Sequence, residues 1–450
     1  GSDPESVTLG AGALWIANAR GRSLTRIDLA DDSRKVVRMS SAPRSVRYHD
    51  GRVWTAVAAS PNPLRPLASG QEIRIPLSRD DIGTLDPAAP ANADRFQRDY
   101  ATCARLLNYP DSDGSSGQEL RPEIAAAMPT VSADGRTYTF RIRTGFRFSP
   151  PSGQAVTAQT FRYSLERALS PKYGPGSPAI AVLSDIVGAA AYNSGKVSHV
   201  SGIRVRGSQL SIRLKAPAGD FPTRLSEPFF CPVPIGTPAV AGGATQPIPS
   251  AGPYYVASSS LGQTVLLRNP NYSGPRPRRI ERIVYTTGTP TEKALALVAG
   301  GAAEYIDGYT SDSDSSALEP DSAVARRYGP QSPAARSNDQ RYFVIGVPGV
   351  DMIAFNTRRP TFRDVRVRRA VNYALDRPAL AGVYSEQPVD RYIPPAVPGS
   401  RAEHIYPVDG PNLTKARQLA GHRKRRAVLY GCGDPIGVRI AEIVRANLAR

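Results

Sequence analysis

The sequence predicts an α/β protein led by a short all-β segment, and three observations carry that expectation. Between Leu120 and Arg167 a period-2 run gives way to a helical-period run, the pattern of a half-buried strand followed by an amphipathic helix. Within the first sixty residues GALWIANA (Gly12 to Ala19) returns as GRVWTAVA (Gly51 to Ala58), a shift of 39 residues. Late in the chain, Val367 to Leu375 and Ile436 to Leu448 place apolar residues at helical spacing.

The first element is the repeat. Gly, Trp and Ala stand in register in its two copies, which hold both tryptophans of the chain. The residues between them alternate apolar and polar around Asp31-Asp32 and His49-Asp50-Gly51, as short antiparallel strands joined by turns would. The period is close to that of a propeller blade, and the segment resembles the repeats of YVTN-like and lyase-type β-propellers. That resemblance implies a propeller remnant over residues 1–66, the tail of a ring whose earlier blades are not in this sequence. The competing reading is two unrelated hairpins. ASPNPLRPLASG (Ala59 to Gly70) reads as a linker.

In the 120–167 block, Tyr138, Phe140 and Ile142 alternate with Thr137, Thr139 and Arg141, which predicts a strand. Thr157 then stands as an N-cap before AQTFRYSLERAL, where Phe161, Leu165, Ala168 and Leu169 form one face. In RDVRVRRAVNYALD, capped by Asp364, Val367, Ala370, Val371, Ala374 and Leu375 make a stripe with Arg366, Arg368, Arg369 and Asn372 facing away. These residues build the fold and are not ligand contacts.

Composition narrows the function. At 450 residues and 40% hydrophobic content the chain has material for about three domains. Glycine (39) and proline (42) are spread through the motifs, which marks many turns rather than disorder. No run of about 18 apolar residues is present, so no segment is expected to span a membrane. The net charge of +18 raises nucleic acid as a partner, but 50 of the 57 basic residues are Arg and they are dispersed, as a GC-rich coding bias produces. No basic helix interleaved with aromatics occurs, so no nucleic-acid partner is expected, and attraction to an anionic cell surface would be weak and salt-sensitive.

No catalytic signature is legible: G-x-S-x-G, H-E-x-x-H, a P-loop and G-x-G-x-x-G are all missing. His49, His199, His404 and His422 lie far apart, with no Cys or carboxylate at metal-ligand spacing, so neither an enzyme, a metal site nor a cofactor is expected.

The order DGRTYTFRIRTGFRF, turn, VTAQTFRYSLER closely resembles the extracellular solute-binding proteins of ABC importers, in the large class that carries peptides and nickel chelates. IGTLDPA (Ile82 to Ala88) and ATCARLLNYPD (Ala101 to Asp111) resemble that family's first strand-loop and the helix behind it. SAGPYYV (Ser250 to Val256), VLLRNPNY (Val265 to Tyr272) and MIAFNTRRPTFRDVRVRRAVNYALDR (Met352 to Arg377) resemble later motifs in the family's order. The resemblance implies a two-lobed α/β fold like the type II periplasmic binding proteins. Its first lobe would run over residues 67–116, with a subdomain at 117–200 and a return segment at 201–338. The second lobe, 339–450, would be incomplete.

The resemblance also implies the function: capture of a peptide or similar small solute between the lobes, outside the cytoplasm and peripheral to the membrane, for delivery to a separate permease and ATPase. Asp94, Phe96 and Tyr100 would face the ligand from the loop after the first strand, although the two aromatics fit a core equally well. By the family's topology Cys103 and Cys231 both fall in the first lobe. A disulfide between them and two buried thiols are both compatible with that, with Cys432 the odd cysteine. The chain opens on Gly-Ser-Asp-Pro and stops after GDPIGVRIAEIVRANLAR, so a missing ligand-anchoring loop and weakened binding are expected. The alternatives are a hydrolase or lyase built on the propeller repeats, or a sensor that uses the binding module for detection.

Overall fold

A computed structural model describes residues 4–19, 21–39, 43–57, 71–78, 83–89, 93–110, 112, 117, 119–174, 178–306, 318, 322–343, 349–383, 386–394, 397, 400–401, 404–421, 425–431 and 435–449. The contacts divide the chain into two compact units, one of Gly1–Ala317 with Pro333–Gln340 and one of Leu318–Ser332 with Arg341–Arg450.

The first unit begins with β1 (Pro4–Gly10), β2 (Ala13–Asn18), β3 (Ser23–Asp28) and β4 (Arg34–Arg38), an antiparallel meander in the order β1-β2-β3-β4. A separate hairpin follows, β5 (Pro43–His49) and β6 (Arg52–Val57). The sequence repeat is also a repeat of backbone register. Pro4 pairs with Asn18, Ser6 with Ala17 and Gly10 with Ala13, while Pro43 pairs with Val57, Ser45 with Ala56 and His49 with Arg52. Both ladders are irregular between their Pro and Ser, and both close through two residues at positive φ, Ala11-Gly12 and Asp50-Gly51, the geometry of a type I′ hairpin. One meander and one hairpin fall short of a propeller, and the linker expected at 59–70 lies outside the described residues.

After β7 (Glu72–Pro76) and helix α1 (Ala93–Thr102), the two-residue strands β8 (Leu107–Asn108) and β9 (Arg121–Pro122) pair antiparallel. The expected placement of a helix over 101–111 needs correction. The helix occupies 93–102, so Asp94, Phe96 and Tyr100 lie on it rather than in a loop, and Cys103 lies just past its end. At that end the Thr102 carbonyl, one of those any helix leaves unpaired, accepts from Gly252 N (2.9 Å), a contact from a distant turn that the local sequence does not announce.

A second antiparallel sheet holds β10 (Thr130–Val131), β11 (Thr137–Arg141), β12 (Ile203–Arg206) and β13 (Gln209–Arg213) in the order β10-β11-β13-β12. Tyr138 opposes Ile212 and Phe140 opposes Leu210, and these four inward residues are 4% exposed or less. Helix α2 (Ala158–Ala168) covers them with Phe161, Leu165 and Ala168. Its start is fixed by the expected Thr157 cap, which forms a reciprocal capping box with Thr160.

The third sheet runs β14 (Tyr254–Ser260), β15 (Gln263–Arg268), β16 (Arg282–Thr286), β7, with β7 parallel to β16 and the other pairs antiparallel. Ile75, Leu77, Tyr254, Leu266 and Tyr285 form its buried cluster. Strand β7 thus joins partners about 200 residues away in sequence, so the chain leaves this sheet, builds the α2 layer and returns.

In the second unit the helix Val365–Ala374 is capped by Asp364, whose Oδ1 accepts from Arg366 N (2.8 Å), and buries Val367, Ala370 and Ala374. It packs on Leu413–Ala420, where Ala416 is buried, and Asp376 N donates to Asn447 Oδ1 (2.8 Å) of the helix Pro435–Ala449. Of the expected stripe on that last helix, Val444 is buried while Ile436 and Leu448 are exposed.

Candidate functional site

The sequence motifs of the first unit converge on two buried ionic centres and one covalent tie. The first centre lies under the loop 83–89, the IGTLDPA motif. Asp86 is fully buried and takes both branches of Arg167, Oδ1 from Nη1 at 2.8 Å and Oδ2 from Nη2 at 2.6 Å. Tyr173 Oη donates to Oδ2 (2.8 Å) and Ala88 N to Oδ1 (3.1 Å), so the carboxylate's acceptor sites are filled. Arg167 also donates to the carbonyls of Thr237 (3.0 Å) and Pro238 (2.8 Å). Burial pushes the Asp86 carboxyl up, but the Arg167 and Tyr173 bonds outweigh it and hold the group below the usual carboxylate range. Burial and the adjacent Asp86 push the Tyr173 phenol up, so it stays protonated and donates.

The same loop is held from its other side. Arg98 on α1 is buried, pairs with Asp99 (2.9 Å) and donates to Thr84 O (2.9 Å). Thr84 Oγ1 and Leu85 N both donate to Ala244 O. At Gly243, φ +88°, an added Cβ would overlap Thr84 Oγ1, which is why glycine stands there.

Glu123 is the second centre. Its Oε2 accepts from Arg105 N (2.9 Å) and Asn108 Nδ2 (3.1 Å), and its Oε1 from Tyr272 Oη (3.2 Å) and Arg276 Nε (2.7 Å). The remaining Arg276 nitrogens donate to the carbonyls of Tyr100 and Cys103 at the end of α1. Burial disfavours the Arg276 charge, yet Glu123 together with Tyr272 and Tyr100 outweighs this and raises its pKa. Arg105, by contrast, is lowered by burial and then by Arg276. The motif VLLRNPNY supplies Tyr272, and the run Arg276-Pro-Arg-Arg279 supplies Arg276 as a buried structural cation.

Cys103 and Cys231 are joined as a disulfide, with Cα atoms 5.5 Å apart and a sequence separation of 128. Tyr100 is half-buried. Its hydroxyl donates to Tyr109 O (3.3 Å), and the guanidinium of Arg276 lies 5.0 Å from its ring centre and that of Arg105 6.0 Å. The side chains of Asp94 and Phe96, and all of Cys432, lie outside the described residues.

Sequence reading missed Asp86, Arg167, Glu123 and Arg105. All four sit inside quoted segments, Asp86 in LDPA, Arg167 in SLER, Arg105 in ATCARLLNYPD and Glu123 in the 120–167 block, where a charged residue among apolar neighbours was the available signal. In these centres Asp86 is paired with Arg167 and Glu123 with Arg276, which positions loops, and among the described residues the two centres hold no poised nucleophile and base. A surface depression of about 460 Å³ is lined by Asp185, Asp220, Arg224 and Glu227 among others, and Arg224 bridges Asp185 (2.7 Å) and Asp220 (2.8 Å). Among the described residues no group of His, Cys, Asp or Glu is placed to hold a metal ion, and no helix is long and apolar enough to cross a membrane.

The model for bacterial extracellular solute-binding proteins, family 5 middle region, matches residues 119–450. Protein XP55 of Streptomyces lividans is 27% identical over 315 residues, 67% of this chain and 48% of XP55. The probable deoxycholate-binding periplasmic protein YgiS of Escherichia coli is 25% identical over 378 residues, 79% of this chain and 64% of YgiS. The chain therefore spans about half to two thirds of the length of these curated relatives. Among solved structures, the clavulanic acid biosynthesis oligopeptide binding protein 2 aligns with a TM-score of 0.66 at 24% identity, covering 85% of this chain and 70% of that one. The Helicobacter pylori DppA complex with the peptide STSA aligns at 0.57 and 19%, covering 85% and 72%. At these identities the structures speak for the fold, the mixed α/β architecture of two-lobed periplasmic peptide-binding proteins. The family match spans well over half of the chain, and the chain belongs to the bacterial extracellular solute-binding proteins of family 5.

Proposed function

We propose that this chain captures a peptide or similar small solute outside the cytoplasm and hands it to the permease and ATPase of an ABC importer. The observation that carries this reading is the family match over 119–450. It is supported by a framework in which the family's motifs hold loop 83–89 and α1 in fixed positions through Asp86–Arg167 and Glu123–Arg276. Fixed loops allow a solute's polar groups to be met without ordering the protein at the moment of binding. Capture drives closure only through a higher affinity for the closed state. We retain Asp94, Phe96 and Tyr100 as ligand-facing candidates, because they belong to the helix that loop 83–89 leads into. Two lobes, divided near residue 340, are part of the same proposal.

Native mass spectrometry of the chain purified without refolding tests the reading. A small-molecule adduct in 1:1 ratio, displaced by added peptides, is the expected result. A bare chain that takes up no peptide, together with turnover of a lactone or ester lost on substituting one of its own residues, would instead favour a propeller-based enzyme.

The N-terminal module we read as one blade and a half of a propeller-like repeat, on the strength of the 39-residue sequence shift and the identical register of its two hairpins.

A further inference from the structure

The positive charge of the chain is not spread evenly along it. Residues 341–450 hold 19 basic and 9 acidic residues, so the last 110 positions carry +10 of the net +18. The densest part is the run Arg358–Arg369, with six arginines and one carboxylate.

Five of these six arginines are open to solvent. Arg358 and Arg359 lead into the short helix Pro360–Arg363, which ends on Arg363. Arg366 and Arg369 lie three residues apart on the helix Val365–Ala374, hence on one side of it. All five are exposed, and none is paired with a carboxylate among the described residues. The sixth, Arg368, donates to the carbonyls of Phe362 (2.7 Å) and Arg363 (2.9 Å), which fixes the short helix against the long one. Asp364, the one carboxylate of the run, is engaged at the N-cap, where Oδ1 accepts from Arg366 N (2.8 Å). Thr361 Oγ1 donates to Arg426 O (3.2 Å), so a second basic stretch, Arg425-Arg426, lies beside the first. Apolar groups are interleaved with these charges: Val365 is 44% exposed between Arg363 and Arg366, and Val428 (73%) and Tyr430 (89%) follow Arg426.

Unpaired like charges held this close repel one another, and an anionic surface relieves that repulsion. The interleaving favours one such surface over another. A nucleic-acid backbone would use the charges and leave the valines in water. The headgroup layer of an anionic bilayer takes both, arginines at its phosphates and apolar side chains among the headgroups.

We propose that this face of the second unit docks the protein on anionic lipid, with the five unpaired arginines on headgroup phosphates and Val365, Val428 and Tyr430 between them. The proposal goes beyond solute capture and rests on that reading only for its extracytoplasmic setting, where docking keeps a captured solute close to the membrane that holds the permease.

Cosedimentation of the full chain with vesicles of phosphatidylglycerol and phosphatidylcholine tests it, with phosphatidylcholine vesicles and duplex DNA as the other ligands. Binding to the anionic vesicles is expected at about 0.1 M salt and release at about 1 M, since the Debye length falls from about 10 Å to about 3 Å. Replacing Arg363, Arg366 and Arg369 together by Gln is expected to weaken binding by about tenfold or more, whereas replacing all three by Lys, which keeps the charge, is expected to change it by less than about threefold. The control variant R47Q/R204Q/R279Q removes the same charge from exposed, unpaired positions scattered over the first unit and is expected to change binding by less than about threefold. Val428→Ser with Tyr430→Ser is expected to weaken vesicle binding and to leave DNA binding as it is. Amide-exchange protection in the helix Val365–Ala374 shows that each variant is folded. Equal losses from the two Gln variants mean attraction by net charge alone and overturn the proposal. Tighter binding to DNA than to anionic vesicles at equal phosphate overturns it as well, and so does a full chain that leaves the anionic vesicles unbound. Peptide titration is measured separately, so each of these results leaves solute capture standing.

Discussion

Arg167→Ala isolates what the buried ion pair contributes. The substitution removes both guanidinium bonds to Asp86 and the donors to the Thr237 and Pro238 carbonyls, leaving Tyr173 Oη and Ala88 N as partners of a carboxylate with no solvent access. Breaking a buried pair by deleting one partner costs about 3–5 kcal/mol, because the other charge stays buried without compensation. The pH dependence follows from Asp86. In the native chain its pKa is depressed, so its contribution is present above the unfolded value of about 3.9 and is lost as pH falls through the lower folded value. Without Arg167, burial dominates and raises the folded pKa, so the variant gains relative stability as the group protonates. The gap between native and variant protein is therefore widest near pH 7 and narrows toward pH 3. Urea titration read by amide-exchange protection in β11 and α2 measures it at both ends. A gap under 1 kcal/mol at pH 7, or one that does not change with pH, would refute the reasoning.

Other perturbations probe the rest of the frame. Cys231→Ala, or reduction of the Cys103–Cys231 bond, opens a 128-residue loop and should destabilise the first unit by about 5 kcal/mol in the chain-entropy model, measured by urea unfolding with and without reductant. Gly252→Ala should lower the melting temperature, since the new Cβ would lie 2.3 Å from the Thr102 carbonyl, and overpacking of this kind costs about 1–3 kcal/mol. Glu123→Ala should cost about 3–5 kcal/mol by stranding the Arg276 charge and leaving the Arg105 backbone N–H without its acceptor, whereas Glu119→Ala, an exposed partner of Arg121, should change stability by less than about 1 kcal/mol.

Local elements were legible because their signals are local. The Thr157 and Asp364 caps, the Tyr138/Phe140 alternation and the α2 stripe each need only a few neighbouring residues to declare themselves. The register of the N-terminal repeat was implicit in the 39-residue shift, and its Asp50-Gly51 turn in the residue types. What the sequence could not show depends on partners far along the chain. Helix α1 ends where Gly252 reaches Thr102, and β7 pairs with a strand about 200 residues later. Arg167 and Arg276 look like two more arginines among fifty until the fold buries them against Asp86 and Glu123. Tyr100 was expected either to face ligand or to sit in a core. Its ring packs against Arg276, and ligand contact there remains a proposal.

Calorimetric titration of the whole chain with di- to pentapeptides tests the central claim most directly. Solute capture predicts saturable 1:1 binding that does not change the peptide and that weakens when Asp94, Phe96 and Tyr100 are together replaced by alanine. Heat no different from dilution for every peptide, from a chain whose amide protection shows both units folded, would contradict it.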